Sequence, residues 1–353
     1  MERISSRWTS VLGLAVVVAI AGCKSGGSAS GAAGGDTGKI SMNGAGATFP
    51  SPIYSKWFSE YATAHPDVHI NYQPIGSGGG IKQVTDGIVD FGASDVTMTD
   101  EQIAGAKVQV MAIPTVLGAV VPIYNLPGIA QDLNFSPDVI ANIYLGKITK
   151  WNDPRIAKDN PGVKLPATTI LPVYRSEGSG TTFIFTDFLT KTSPAWAAGP
   201  GKGSAIKWPV GVGQKGSEGL TGMVRESPGA FGYVELVYAT KNNIQYGLVK
   251  NAAGKFVKGS TAGVTAAAAN VPQMPADYRV SITNAPGDDS YPISSFTWLL
   301  VPTHFTDPAK GKVMHDFLGW MLDAGEAEAP GMSYASLPGS VAESVRKTIA
   351  QVQ

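Results

Sequence analysis

What this sequence has little of narrows its chemistry before any motif is read. It has a single cysteine, Cys23, so no disulfide can form within the chain. Its four histidines (His65, His69, His304 and His315) show no metal-ligand spacing. Charged residues make up 15% of the chain, and Lys+Arg balances Asp+Glu at 27 each. A net charge of zero argues against nucleic acid or an acidic surface as the main partner, so any anion must be captured by a local site. No glycine stretch continues as Gly-Lys-Ser/Thr, which excludes a P-loop. Gly-x-Ser-x-Gly is absent around Ser179, because position 177 is Glu. Gly211-Val-Gly-Gln-Lys-Gly216 spells a dinucleotide fingerprint, but it lies late in the chain and lacks the acidic residue that should follow. A tight turn opening a helix explains it better.

The longest apolar run near the start, Val11 to Ile20, is too short to span a bilayer comfortably. Arginines at 3 and 7 precede it and Ala21-Gly22-Cys23 follows, which is the layout of a secretory signal over residues 1–22. Ile20-Ala-Gly-Cys23 also resembles the bacterial lipobox, making Cys23 the expected lipidated first residue of the exported protein. Residues 24–39, rich in Gly, Ser and Ala without apolar periodicity, read as a flexible tether that lets the body stand off a membrane.

Glycine and proline are plentiful, at 43 and 24, and predict a compact, loop-rich body with room for two domains. Ile53, Trp57 and Tyr61 recur every four residues after Pro50 and Pro52, so Thr48 and Phe49 precede a helix. Val68, Ile70 and Tyr72 alternate as a strand, and Gly76 to Gly80 forms a second strand-to-helix turn. Val89 to Asp95 reads as a strand ending in a carboxylate, and Thr99-x-x-Gln102 as a capping box. Residues 108–113 and 116–124 read as two strands, with Pro114-Thr115 as a crossover. Helices are expected from Ser136-Pro137 and near Ser217–Arg225, and strands over Phe231–Glu235 and Ile293–Val301. Two helices close the chain, the last with Ser340-x-x-Glu343 as its capping box. Residues 250–285 are poorly periodic and are expected at the surface. Alternating strands and helices give an α/β fold.

The richest stretch is Arg175-Ser-Glu-Gly-Ser-Gly-Thr-Thr182, between an apolar strand (Thr169–Tyr174) and a helix face (Phe183–Leu189). A small-residue turn opening a helix presents free N–H groups at the positive end of a dipole. Ser179, Thr181 and Thr182 add hydroxyls and Arg175 a guanidinium, which together suit a tetrahedral oxyanion. Asp95 is the odd partner. It caps or salt-bridges a strand end, or it selects a ligand that carries a proton of its own, as hydrogen phosphate does and sulfate does not.

Gly44-Ala-Gly-Ala-Thr-Phe-Pro50, Ile75-Gly-Ser-Gly-Gly79, Val89 to Asp95, Arg175-x-x-Gly-Ser-Gly-Thr181 and Pro228-Gly-Ala-Phe-Gly-Tyr-Val234 resemble, in order, the periplasmic phosphate-binding proteins of phosphate ABC transporters. Tyr144-Leu-Gly-Lys-Ile-x-Lys-Trp151 and Tyr334-Ala-Ser-Leu-Pro338 extend the likeness over about residues 42 to 350. The resemblance implies a two-lobed type II periplasmic-binding-protein fold joined by two crossovers. Lobe I would comprise 40–114 plus 292–353, and lobe II 115–291. It also implies a binding protein rather than an enzyme, without cofactor or metal, that delivers inorganic phosphate to permease subunits from the periplasm or cell surface. Carried over by position, Thr48, Phe49, Ser77 and Asp95 would hold phosphate from one lobe, and Arg175, Ser179, Gly180 and Thr181 from the other. Glu177 stands where the family often has an aspartate to orient the arginine, and Gly78 where it often has a second serine. A phosphatase on the same scaffold, or a receptor for another tetrahedral oxyanion, is the alternative.

Overall fold

The computed structural model describes residues 39–270 and 274–353. The signal sequence, Cys23 and nearly all of the tether lie outside the described residues. Eleven strands follow in chain order: β1 (Ile40–Gly46), β2 (Val68–Pro74), β3 (Phe91–Ser94), β4 (Val110–Tyr124), β5 (Asn134–Phe135), β6 (Leu171–Arg175), β7 (Val212–Gln214), β8 (Ala230–Glu235), β9 (Leu248–Lys250), β10 (Phe256–Lys258) and β11 (Ser294–Pro302). Eight of them form one sheet in the order β2-β1-β3-β11-β4-β8-β6-β7, and β10-β9-β5 form a small second sheet. Helices pack between and around them, as the alternating sequence pattern requires. The fold is mixed α/β, built on one eight-stranded sheet with parallel and antiparallel pairs, as the resemblance implies.

Two strands carry the chain from one side of the sheet to the other. β4 pairs antiparallel with β11 over Val110 to Ala119, then with β8 over Val120 to Tyr124. The expected break at Pro114-Thr115 is instead a bulge inside one continuous strand, where Thr297 pairs with Val116 and Trp298 with Pro114. Proline has no N–H for the ladder, and the extra residue absorbs that loss. Thr115 is fully buried there; its hydroxyl donates to the Thr297 carbonyl at 3.3 Å and meets the Tyr54 hydroxyl at 2.8 Å.

Each side of the sheet has its own aromatic core. Tyr54, Trp57 and Phe58 on the helix Ser51–Ala64 pack with Tyr72, Phe91 and Phe317. On the other side Tyr144, Phe185, Trp208 and Tyr233 stack together, with Phe185 and Tyr233 rings 4.2 Å apart. Aromatic pairs of this kind supply large buried area with a defined geometry.

Three local expectations change. Gly78 to Gly80 lie inside the helix Ser77–Thr85 rather than in a turn before it. The last helix, Gly339–Ile349, begins after Pro338 and contains Ser340, so the Ser340/Glu343 box does not form. Residues 250–285 are more than surface: they include β10 and the helix Thr261–Ala269, and bury Val264, Ala267, Tyr278 and Ile282. The Thr99/Gln102 capping box does form, with both reciprocal hydrogen bonds. Among the described residues no helix is long and apolar enough to cross a membrane.

Candidate anion-binding site

The site lies where the carboxyl ends of β1, β3, β6 and β8 converge beside the bulged middle of β4 and β11. Ligands of open α/β sheets characteristically sit outside strand carboxyl ends. Thr48 and Phe49 follow β1, Asp95 follows β3, Ser77 opens the helix Ser77–Thr85, Arg175 ends β6, and Ser179 caps the helix Gly180–Thr192. All of the residues implied by the resemblance to touch the anion are buried, Arg175 at 4% exposure and Asp95 at 2%.

One face is organised by Ser77 and Asp95. The Ser77 hydroxyl donates to Asp95 Oδ2 at 3.2 Å and accepts from the N–H groups of Asp95 and Gly180, both at 3.1 Å. Thr297 donates to the other carboxylate oxygen at 2.7 Å. No side chain but glycine fits at 180, because a Cβ there would lie 2.5 Å from Ser77 Oγ and 2.6 Å from Asp95. Beside this contact Gly78 N–H donates to the Gly178 carbonyl at 2.9 Å, and a Cβ at 78 would stand 3.3 Å from Gly178 Cα. Gly78 is therefore part of the close approach between the faces, a consequence its sequence position did not reveal.

The other face is organised by Arg175. Its Nε donates to Glu177 Oε1 at 2.9 Å, and Nη2 bonds the same oxygen. Glu177 Oε1 also accepts from Gly216 N–H at 3.1 Å, so the longer side chain still meets the arginine and in addition ties it to the helix Gly216–Glu226. Arg175 Nη1 donates to Thr181 Oγ1 at 3.3 Å and Ser217 Oγ at 3.1 Å. Thr181 in turn donates to Glu235 Oε1, and Ser217 to Glu235 Oε2 at 2.8 Å. Since the Ser217 proton is used there, Thr48, 2.8 Å away, is the donor in their pair. The Ser179 hydroxyl accepts from Thr182 N–H at 3.2 Å as the helix cap. Phe49 is fixed from outside, its carbonyl accepting from the Tyr334 hydroxyl at 2.6 Å.

Electrostatics follow from this burial. Loss of solvation, with the Glu235 charge nearby, pushes Asp95 up to about 8 against the pull of Thr297, Arg175 and Ser77. Burial likewise raises Glu235, opposed by Arg175, Thr181 and Ser217. Arg175 loses solvation too, yet the Glu177 carboxylate outweighs that loss and holds the guanidinium charged. The site thus combines one fixed cation, several hydroxyl and N–H donors, and two carboxyls that ionise reluctantly. Beside Asp95 a cavity of about 180 Å³, lined among others by Thr97, Phe183, Lys202, Arg279 and Trp298, leads away from it. Among the described residues no cluster of three or more His, Cys, Asp or Glu could hold a metal ion.

Ser217, Glu235 and Thr297 were not singled out from the sequence. Ser217 lies in the first turn of the helix expected near Ser217–Arg225, just after Gly211–Gly216, and Glu235 ends the strand expected over Phe231–Glu235. A carboxylate closing an otherwise apolar strand, as Asp95 does, was the available signal for Glu235.

Residues 29–324 match the family model described as a PBP superfamily domain. The phosphate-binding protein PstS of Pasteurella multocida (strain Pm70) is 42% identical over 86% of this chain and 88% of its own. The chain belongs to the phosphate-binding protein family within that superfamily. The PstS phosphate-binding protein of the archaeon Methanocaldococcus jannaschii is 37% identical over 94% of this chain and 92% of its own. A phosphate-binding protein from Stenotrophomonas maltophilia has the same fold, with a TM-score of 0.67 over 87% of this chain and 93% of that one, at 20% identity. A high-affinity periplasmic phosphate-binding protein (PfluDING), solved with phosphate, superposes with a TM-score of 0.72 over the same shares at 21% identity.

Proposed function

We propose that this chain is the extracytoplasmic receptor for inorganic phosphate of an ABC importer, working by binding alone. Its relatives are named as binding proteins, not as enzymes. The observation that carries the reading is the Ser77 hydroxyl, which joins Asp95 to Gly180 and so brings a buried carboxylate against a helix N-terminus that also carries Thr181 and Arg175. A carboxylate belongs in such a site when the ligand brings a proton to donate, as hydrogen phosphate does.

Thr48, Phe49, Ser77 and Asp95 act from one lobe (40–114 plus 292–353), and Arg175, Ser179, Gly180 and Thr181 from the other (115–291). Phosphate enters when the faces part along β4 and β11, and closure replaces its hydration by directed hydrogen bonds and the Arg175 charge. Glu177 keeps the guanidinium aimed. The permease reads the closed arrangement, since closure sets the surface the two lobes jointly present. Lipidation at Cys23, after removal of residues 1–22, tethers the receptor to a membrane through residues 24–39.

Calorimetric titration of the purified protein with phosphate and with sulfate at pH 9 tests this. One-to-one phosphate binding without sulfate heat is expected. Absence of phosphate binding by correctly folded protein would remove the reading, and equal binding of both anions would remove the role of Asp95.

A further inference from the structure

The Arg175 face holds a second buried carboxyl that the site as read so far does not need. Glu235 is 1% exposed, ends β8, and takes the hydroxyl protons of Thr181 and Ser217. Both hydroxyls also accept from Arg175 Nη1, so the protons of both hydroxyls are committed to Glu235. That arrangement conflicts with phosphate binding, in which Thr181 must donate to the anion. A hydroxyl has one proton, and it cannot serve Glu235 and phosphate together.

We propose that Glu235 is a positioning residue of the phosphate site, which takes up a proton from solvent as phosphate claims the Thr181 hydroxyl. Its Oε1 then changes from acceptor to donor, giving a chain from Glu235 through Thr181 to the anion. The inference rests on the phosphate reading of the site. The groups facing Glu235 bear out the direction. Arg175 and the two hydroxyls favour its ionised form in this structure, and Asp95 and burial oppose it. Tyr238 and Tyr334 also lie close enough to feel its charge, and Tyr238 bonds Glu218 at 3.0 Å. Arriving phosphate adds negative charge, engages Arg175 and withdraws one hydroxyl, and all three changes favour protonation. Glutamine at 235 is already a donor through its amide nitrogen, so it supports the same chain with no proton taken up.

The test is the number of protons exchanged per phosphate bound, obtained from binding heats at pH 9 in buffers of different ionisation enthalpy. At that pH Asp95, at about 8, is mostly ionised and contributes little exchange. Wild type is expected to take up close to one proton. Glu235→Gln is expected to bind phosphate within about tenfold of wild type with uptake near zero, and Glu235→Asp to restore part of the uptake. Wild-type affinity is correspondingly expected to fall by up to tenfold per pH unit over the window of uptake, and that slope to vanish in Glu235→Gln. An unchanged proton count in a Glu235→Gln protein that still binds phosphate overturns the proposal and leaves the phosphate reading intact. Failure of wild type to bind phosphate overturns both. Should Glu235→Gln not fold, Ser217→Ala gives an independent answer. It removes a donor that favours the ionised carboxyl, so uptake is expected to fall, and an unchanged count again overturns the proposal.

Discussion

The two faces of the site solve opposite problems. The Asp95 face holds a carboxylate that accepts from two hydroxyls, those of Ser77 and Thr297, with no cation in contact among the described residues, and Asp95 ionises only with difficulty. The Arg175 face holds a cation whose charge is fixed by Glu177, surrounded by hydroxyls whose protons are directed by Glu235. The difference teaches how a protein of zero net charge can hold an anion with selectivity. In the proposed reading, one face supplies charge and donors that any oxyanion would accept, and the other demands a proton from it. Affinity should therefore be lost by changes on the Arg175 face, and selectivity by changes on the Asp95 face.

The largest effect should come from the cation. Arg175→Ala removes the buried guanidinium and leaves the half-buried Glu177 carboxylate without its cation. Loss of a buried charge partner costs about 2–5 kcal/mol, so phosphate affinity should fall at least about thirtyfold, read by calorimetry on protein whose fold is checked by circular dichroism. Gly180→Ala should come next. Its methyl would stand 2.5 Å from Ser77 Oγ and 2.6 Å from Asp95, so the faces cannot approach as they do here. Overpacking of this kind costs about 1–3 kcal/mol, and the weakening should exceed that from Gly219→Ala, whose Cβ meets its neighbours at an ordinary 3.9 Å.

How much of this contrast could be read in the sequence depended on distance along the chain. Thr48, Ser77, Asp95 and Arg175 to Thr181 each sit in a short stretch whose strand-to-turn-to-helix character is local, and the structure brings those stretches together. At Pro114-Thr115 the sequence reads as a break, because proline and a polar residue signal a turn unless a neighbouring strand absorbs them in a bulge. Thr297 carried no local signal, since its hydroxyl matters through a carboxylate 202 residues away. Ser217 and Glu235 were likewise invisible as partners of Thr181 and Arg175, because strand pairing and not sequence spacing joins β6 to β8. The buried part of residues 250–285 was hidden by its alanines, which suit a core helix as well as a solvated segment.

Smaller effects sharpen the Asp95 side of the contrast. Asp95 is protonated more readily folded than unfolded, so it contributes stability that is fully present below its ordinary 3.8 and is lost as pH rises to about 8. Urea unfolding in phosphate-free buffer should show stability decreasing across that window, and Asp95→Asn should flatten the slope. Thr297→Val removes one hydroxyl from the carboxylate while leaving the Arg175 face alone. A hydrogen bond to a charged group contributes about 1.5–3 kcal/mol, so this variant should extend the pH-dependent loss of stability to higher pH and weaken phosphate binding less than Arg175→Ala does.

The contrast between the faces is tested most directly by titrating wild type and Asp95→Asn with sulfate and phosphate at pH 9, side by side. A site built around a proton requirement should reject sulfate in wild type and accept it in the asparagine variant, whose amide can donate to the anion. The preference for phosphate should then collapse from about ten-thousandfold toward unity. Continued rejection of sulfate by Asp95→Asn, in protein that still binds phosphate, would contradict the account and place selectivity on the Arg175 face instead.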